Sequence, residues 1–308
     1  FLSALAPILA CAPVDPAPLD EPAGEVAAWQ LDRQRTYLEF ACAQPLDPSS
    51  MAHVFVHLTC AARLEDHSVP DGAVPDDAWA PACARVGPPR AMGDSRPLRM
   101  LGPLSPHSGP PAVSAAQWQR LDDAILTFKY AYDDPTPARE VDGAQVVDAM
   151  WYWSENHDLI FRTSEYLAGQ RHPEQVFSTS GLTGAEHMAR ARREILRWID
   201  QRARWGFVEG HSDAYYNLDL QPLLMLAEWS EDEELARRAT MALDLMWLDI
   251  ALHLHRGNFG ATHGRSYIKD KAAAELEDSF DGARLLFDDT RQGHAALRRR
   301  PEKGGRRV

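Results

Sequence analysis

The sequence predicts a mainly α fold, an antiparallel helical array preceded by an irregular Pro/Gly-rich N-terminal part. Three observations carry that expectation. From Ser114 onward apolar residues recur at steps of three and four, the period of a helix with one buried face. Start and stop signals bracket segments of about twenty residues, a common length for globular helices. No period-two alternation nominates strands in this half of the chain. Amphipathic helices joined by short loops bury their stripes by packing antiparallel on one another.

The first helix of the array carries Trp118, Leu121, Ile125, Phe128 and Tyr132 on one face. The next stretch, "DAMWYWSENHDLIFRTSEYLAGQ", continues a stripe through Val146, Met150, Trp153, His157, Ile160, Ser164 and Leu167. It reads as a helix interrupted at its middle by Asn156 and His157. Thr183 with Glu186 forms a capping box that opens a helix bearing Met188, Ala191, Ile195 and Trp198, and Gly206 is its expected stop. In "LDLQPLLMLAEW", Pro222 demands either a late helix start or a kink. Ser230 with Glu233 reads as a second capping box, for a helix reaching about His255 and ended by Gly257.

The N-terminal third reads differently. Residues 1–30 form a leader and linker, and 31–113 an irregular region; the helical domain spans 114–288 and a basic disordered tail 289–308. Within the irregular region "LDRQRTYLEFACA" is helical, whereas "AHVFVHLTCAARL" fits a strand or a buried helix equally. The opening "FLSALAPILAC" is too short to span a bilayer. It suits the tail of a secretory signal, an apolar helix packed on the domain, or a lipoprotein processing site with Cys11 as the lipidated residue. The expected location is therefore outside the cytoplasm: secreted, periplasmic or tethered through a Cys11 lipid. With Cys11 set aside, Cys42, Cys60 and Cys83 are an odd number, so one disulfide among them fits an oxidising compartment.

A formal net charge of -13 argues against nucleic acid as a partner, since phosphate binding needs a basic surface. A local cationic cluster inside that acidic shell still accommodates a polyanion. Three clusters carry chemistry. The first is Glu155, Asn156 and His157, with Trp153 one turn earlier as a packing residue or a sugar-stacking platform. Two adjacent polar residues on or beside an apolar stripe each demand a partner if buried. The second is "FVEGHSDAYYNLD", which crowds Glu209, His211, Asp213, Tyr215, Tyr216 and Asp219 into a junction and one helical turn. Its bland alternative is capping by Ser212 or Asp213, with the tyrosines packed.

The third is "HLHRGNFGATHGRSYIKDK", where glycines at 257, 260 and 264 free the backbone while Arg256, His263, Arg265, Tyr267 and Lys269 supply cations and a phenol. Such a loop suits an anion, because guanidinium grips carboxylate bidentately. His253 and His255 chelate a metal only if extended, since residues two apart face different sides of a helix. No H-E-x-x-H zinc motif, P-loop, dinucleotide fingerprint or G-x-S-x-G elbow is present. No metal and no cofactor is expected.

Asn156-His157 near a helix, followed by Tyr215 or Tyr216 about one helical hairpin downstream, resembles the α/α-toroid polysaccharide lyases, including the alginate lyase and heparinase II/III-like groups. The likeness covers roughly 114–288. It implies a partial or complete α/α toroid and β-elimination on an acidic, uronate-containing polysaccharide or oligosaccharide. It implies that Asn156 and His157 neutralise the uronate carboxylate with Arg265 assisting, that Tyr215 or Tyr216 is the acid or base, and that His263 or Tyr267 is the second proton-transfer group. Trp153, Glu155, His211, Asp213 and Arg256 then line the substrate. Three other readings stand beside it. One is an α/α glycoside hydrolase using two of Glu155, Glu209 and Asp213. Another is a non-catalytic helical lipoprotein that binds glycan or protein, and the third a helical metalloenzyme.

Overall fold

The computed structural model describes residues 25–43, 60, 79, 114–136, 140–141, 144–145, 148–255, 258–272 and 276–287. The chain is mainly helical, and its helices pack on one another. Helix α1 spans Glu25–Cys42 and α2 spans Ala115–Leu126. A two-residue hairpin of β1 (Glu140–Val141) and β2 (Ala144–Gln145) follows, then α3 (Glu155–Arg171), α4 (Gly184–Trp205), α5 (Asp213–Trp229) and α6 (Glu233–His253). A second hairpin pairs β3 (Leu254–His255) with β4 (Asn258–Phe259), ahead of α7 (Ile268–Ala272) and α8 (Phe280–Phe287). Among the described residues no helix is long and apolar enough to cross a membrane. The Cys11 tether, Cys83, the tail from 289 and most of 44–113 lie outside the described residues.

The core of the array is α3–α6. Helix α3 packs on α4 and α5, and α6 packs on α5 and α4, joined by short connections that reverse the chain each time. Leu159, Ile160, Ala191, Ile195, Leu223, Leu226, Leu235, Ala239, Met246 and Ile250 form its centre. The α3–α4 hairpin is drawn tight by two glycines. A Cβ on Gly184 would lie 2.0 Å from the His172 carbonyl oxygen, and one on Gly169 would lie 2.4 Å from that of Gly184. Any side chain there would push the two backbones apart.

Four boundaries follow local chemistry. Ser114 and Thr183 each close a capping box, with Gln117 and Glu186 as reciprocal partners. Gly206 ends α4 at φ 76°, where a side chain would be strained. Ser212 caps α5 by accepting the Tyr215 N–H, which settles the choice between Ser212 and Asp213. Pro222 lies inside a continuous α5, so the helix starts well before it.

Other boundaries differ from the sequence reading. Helix α1 opens at Glu25, within the stretch read as leader and linker. Its Arg33 donates to the carbonyls of Arg284 and Leu285 at 2.7 and 3.2 Å, so that it joins the body at α8. Cys42 at its end is disulfide-bonded to Cys60. Helix α2 stops at Leu126, so Tyr132 is 68% exposed instead of continuing the face of Leu121 and Ile125. Helix α3 starts at Glu155, capped by Ser154, and does not run through 148–154. Asn156 and His157 therefore sit in a first turn, not mid-helix, and Trp153 lies outside the helix. Ser230 ends α5; the cap of α6 is Asp232, which accepts the Leu235 N–H at 2.9 Å, and α6 stops at His253.

A buried ionic network, unforeseen in the sequence, locks α4 to α3 and to the 128–134 turn. Glu165 accepts from Arg190 Nε at 2.5 Å and pairs with His187 Nδ1 at 2.8 Å, while Arg190 grips Asp134 with two nitrogens at 2.7 and 3.0 Å. Ser180 Oγ meets His187 Nε2 at 2.7 Å, so both ring nitrogens are engaged.

Candidate functional site

Alternating helix directions bring the starts of α3 and α5 and the ends of α4 and α6 to one end of the array. Glu155 ties them. Its Oε1 accepts from Arg202 Nε at 2.6 Å in the last turn of α4, and its Oε2 accepts the N–H groups of Val208 at 2.6 Å and Glu209 at 3.3 Å. Its backbone carbonyl takes Trp198 Nε1 at 2.9 Å. All of Glu155 is thereby structural, and it is not free to meet a substrate as the sequence reading expected.

The 206–212 junction then meets the 258–267 loop along a backbone seam. Gly264 N–H donates to the Gly210 carbonyl at 2.8 Å, and Ser212 Oγ donates to the Arg265 carbonyl at 2.7 Å. His263 Nδ1 donates to the His211 carbonyl. A Cβ on Gly264 would lie 3.0 to 3.2 Å from the Gly210 and Glu209 backbone, so the closeness of the seam depends on glycine. His211 itself has φ 55°, the one non-glycine residue with positive φ among the described residues. The second and third sequence clusters thus form one.

On the outer side of the seam Arg265 stacks on two phenols. Its guanidinium carbon is 4.7 Å from the Tyr215 ring centre and 5.9 Å from that of Tyr267, and the two hydroxyls are 2.9 Å apart. Arg265 also donates to Glu209 at 3.2 Å and is half exposed. Burial, then the Tyr267 hydroxyl, pushes the Tyr215 phenol up, so it holds its proton across the neutral range.

On the inner side lies Phe259, with His263, His211, Tyr216 and His253 ring centres 5.5, 6.2, 6.2 and 6.3 Å away. Tyr216 is 2% exposed and donates its hydroxyl to Asp249 Oδ2 at 2.7 Å. Asp249 Oδ1 is 3.2 Å from His211 Nε2. His253, one turn after Asp249 on α6, donates Nδ1 to the Asp249 carbonyl at 2.7 Å. One ring nitrogen of each histidine and one Asp249 oxygen lie within 4.8 Å of one another, a set with the donors a metal ion needs. The sequence reading weighed His253 only with His255, and only for an extended segment, and expected no metal. The fold pairs it with His211 and Asp249 instead, because residues one turn apart share a helix face.

Beneath the loop sit three carboxyls, Asp213, Asp270 and Glu277, each at most 6% exposed. Asp213 faces Asp270, and His263 Nδ1 lies 3.9 Å from its Oδ1. Burial, and next the Asp270 charge, raises its carboxyl to about 6. Burial raises Glu277 to about 7, although the Phe259 N–H donates to it at 3.3 Å.

The first sequence cluster divides. Asn156 and His157 are 2% and 6% exposed, and their described contacts run to Ser154 and Trp151. The pair does not stand open to solvent beside Arg265. Ahead of α3, in contrast, Trp151 and Trp153 stack at 6.3 Å and Tyr132 meets Trp153 edge-on at 5.8 Å. Trp153 is 65% exposed, which favours the platform over the packing reading. Arg256 lies outside the described residues. No protein-family model, curated protein or solved structure matches the chain.

Proposed function

We propose that this end of the array is the cleft of a carbohydrate-active enzyme, a lyase that cleaves a uronate-containing polysaccharide by β-elimination within an α/α-toroid framework. The observation that carries the reading is Arg265 stacked on the hydroxyl-paired Tyr215 and Tyr267, at the same end of the array as the exposed Trp151–Trp153–Tyr132 wall. A half-exposed guanidinium suits a uronate carboxylate, and flat exposed indoles suit the apolar faces of sugar rings.

The residues divide the reaction among them. Arg265 offsets the carboxylate charge, stabilising the enolate-like state formed when the adjacent carbon loses its proton. His263 takes that proton: its Nδ1 is committed to the His211 carbonyl, so Nε2 carries the lone pair. The electron pair forms the new carbon–carbon double bond and expels the glycosidic oxygen, which receives the Tyr215 proton. A raised phenol fits the acid role and not the base role. Asn156 and His157, being buried, support the first turn of α3, and carboxylate neutralisation falls to Arg265. The Cys42–Cys60 disulfide favours a location outside the cytoplasm, secreted or tethered through Cys11.

A second reading, hydrolysis by paired carboxyls, is favoured by the raised Asp213 and Glu277. Alginate, heparin-like and chondroitin-like polymers distinguish the two. Elimination yields an unsaturated uronate that absorbs in the ultraviolet; hydrolysis yields reducing ends without it. Full wild-type rates in both Tyr215→Phe and Arg265→Ala, or no product of either kind from any polymer, would sink the lyase assignment.

A further inference from the structure

We propose that His211, Asp249 and His253 form a binding site for a first-row divalent cation such as Zn²⁺, a site that goes beyond the lyase reading and does not depend on it. The donor set is two imidazoles and a carboxylate, contributed by two separate elements. Asp249 and His253 stand one turn apart on α6, and His211 reaches them from the α4–α5 junction. Two imidazole nitrogens and one carboxylate oxygen suit borderline cations better than Ca²⁺ or Mg²⁺, which take mostly oxygen donors.

The geometry fits the chemistry. His211 Nε2 and Asp249 Oδ1 are 3.2 Å apart. Two ligands of a tetrahedral ion with bonds of about 2.0–2.1 Å are separated by about 3.3 Å. His253 Nδ1 lies 3.5 Å from Asp249 Oδ1 and donates its N–H to the Asp249 backbone carbonyl, which fixes the tautomer with the lone pair on Nε2. Tyr216 holds Asp249 Oδ2 and so leaves Oδ1 as the single donor oxygen. His253 and Asp249 thus each receive the outer support that metal-binding side chains have.

An ion pair alone accounts for the cluster less well. The two imidazole centres are 4.2 Å apart, so two protonated rings would repel at that distance. One carboxylate needs one cationic partner, yet two rings converge on it. A divalent ion between them lets both stay neutral. Three protein donors also leave a fourth position open, and the side chains of all three are between 25% and 36% exposed. The site is accessible from solvent beside the seam that carries Arg265 and Tyr215.

The test uses the full chain without a histidine tag, stripped with chelator and dialysed. Zn²⁺ is titrated by calorimetry and Co²⁺ by its visible absorption, with circular dichroism as the check on folding. The wild type is expected to take up about one equivalent of Zn²⁺. Asp249→Asn and His253→Gln should each weaken binding 100-fold or more while retaining the native spectrum. Tyr216→Phe should weaken it 10–100-fold, as loss of an outer-shell partner does. His255→Gln, at an exposed position off the cluster, should bind as the wild type does. The proposal is overturned if folded wild type takes up no Zn²⁺, or if Asp249→Asn and His253→Gln keep wild-type affinity. Loss in His255→Gln instead would show that the donor set is wrong.

Discussion

Glu155 holds the backbone of Val208 at 2.6 Å across 53 residues of sequence. That contact makes one carboxylate responsible for the position of the junction that carries His211 and Tyr215. Glu155 and Arg202 are both nearly buried, so removing one leaves the other's charge without its ionic partner. Glu155→Ala is expected to lower stability by about 3–5 kcal/mol in a denaturant titration. An unchanged midpoint would show that the junction is held by other contacts.

Neighbouring tyrosines should separate cleanly. Tyr215→Phe removes the proposed proton donor and should reduce turnover by about 10²–10⁴-fold. Its stability should shift by no more than about 0.5 kcal/mol, as expected for a half-exposed hydroxyl. Steady-state rates and thermal melts on the same preparation measure both. A Tyr215→Phe protein that melts early and loses activity in proportion would reassign the hydroxyl to folding.

Asp213 and Glu277 set an expectation for pH. Both carboxyls are raised by burial, to about 6 and about 7. Between the ordinary carboxylate range near 4 and those values, the folded chain keeps protons that the unfolded chain has released. Stability from these groups is therefore complete below the ordinary range and is lost as pH rises through 6 to 7. Asp122, Asp134 and Asp232 have lowered carboxyls and act oppositely, losing their contribution as pH falls. The clean measurement is the difference in melting temperature between wild type and Asp213→Asn across pH 4 to 8. The variant should gain on the wild type as pH rises, and a flat difference would refute the assignment.

The Cys42–Cys60 bridge closes a separation of 18 residues. Its reduction should cost about 3 kcal/mol through the freed unfolded chain. Melts with and without reductant, compared with Cys42→Ser, test this. The variant should match the reduced wild type and ignore the reductant.

Local signals in the sequence were legible where the fold decides them locally. Thr183 and Glu186 sit three apart and cap α4 as such a pair should, and Gly206 ends it. Ser230 misleads because Asp232, two residues on, takes the capping role, and the serine hydroxyl turns to Tyr166. The apolar stripe through Met150 and Trp153 ran past the true start of α3 because aromatic side chains before a helix mimic its period. The site divided on the same lines. Its outer face was readable, since Arg265 and Tyr267 lie in a loop rich in glycine and charge and Tyr215 in the helical turn that follows another. Asp249 was not, standing alone within "LDIALH" until the fold set His211 beside it. The Glu165–His187–Arg190–Asp134 network was equally hidden, because its members come from three separate segments.

The Gly210–Gly264 seam joins two loops through one main-chain bond and two bonds from Ser212 and His263 to carbonyls, and the side chains of Glu209 and Arg265 take no part in it. The frame is consequently independent of these two charges at this end of the array. Exchanging Glu209 or Arg265 would retune the charge presented to a ligand while the supporting loops kept their path, so new specificity here can arise by single replacements with little penalty to folding.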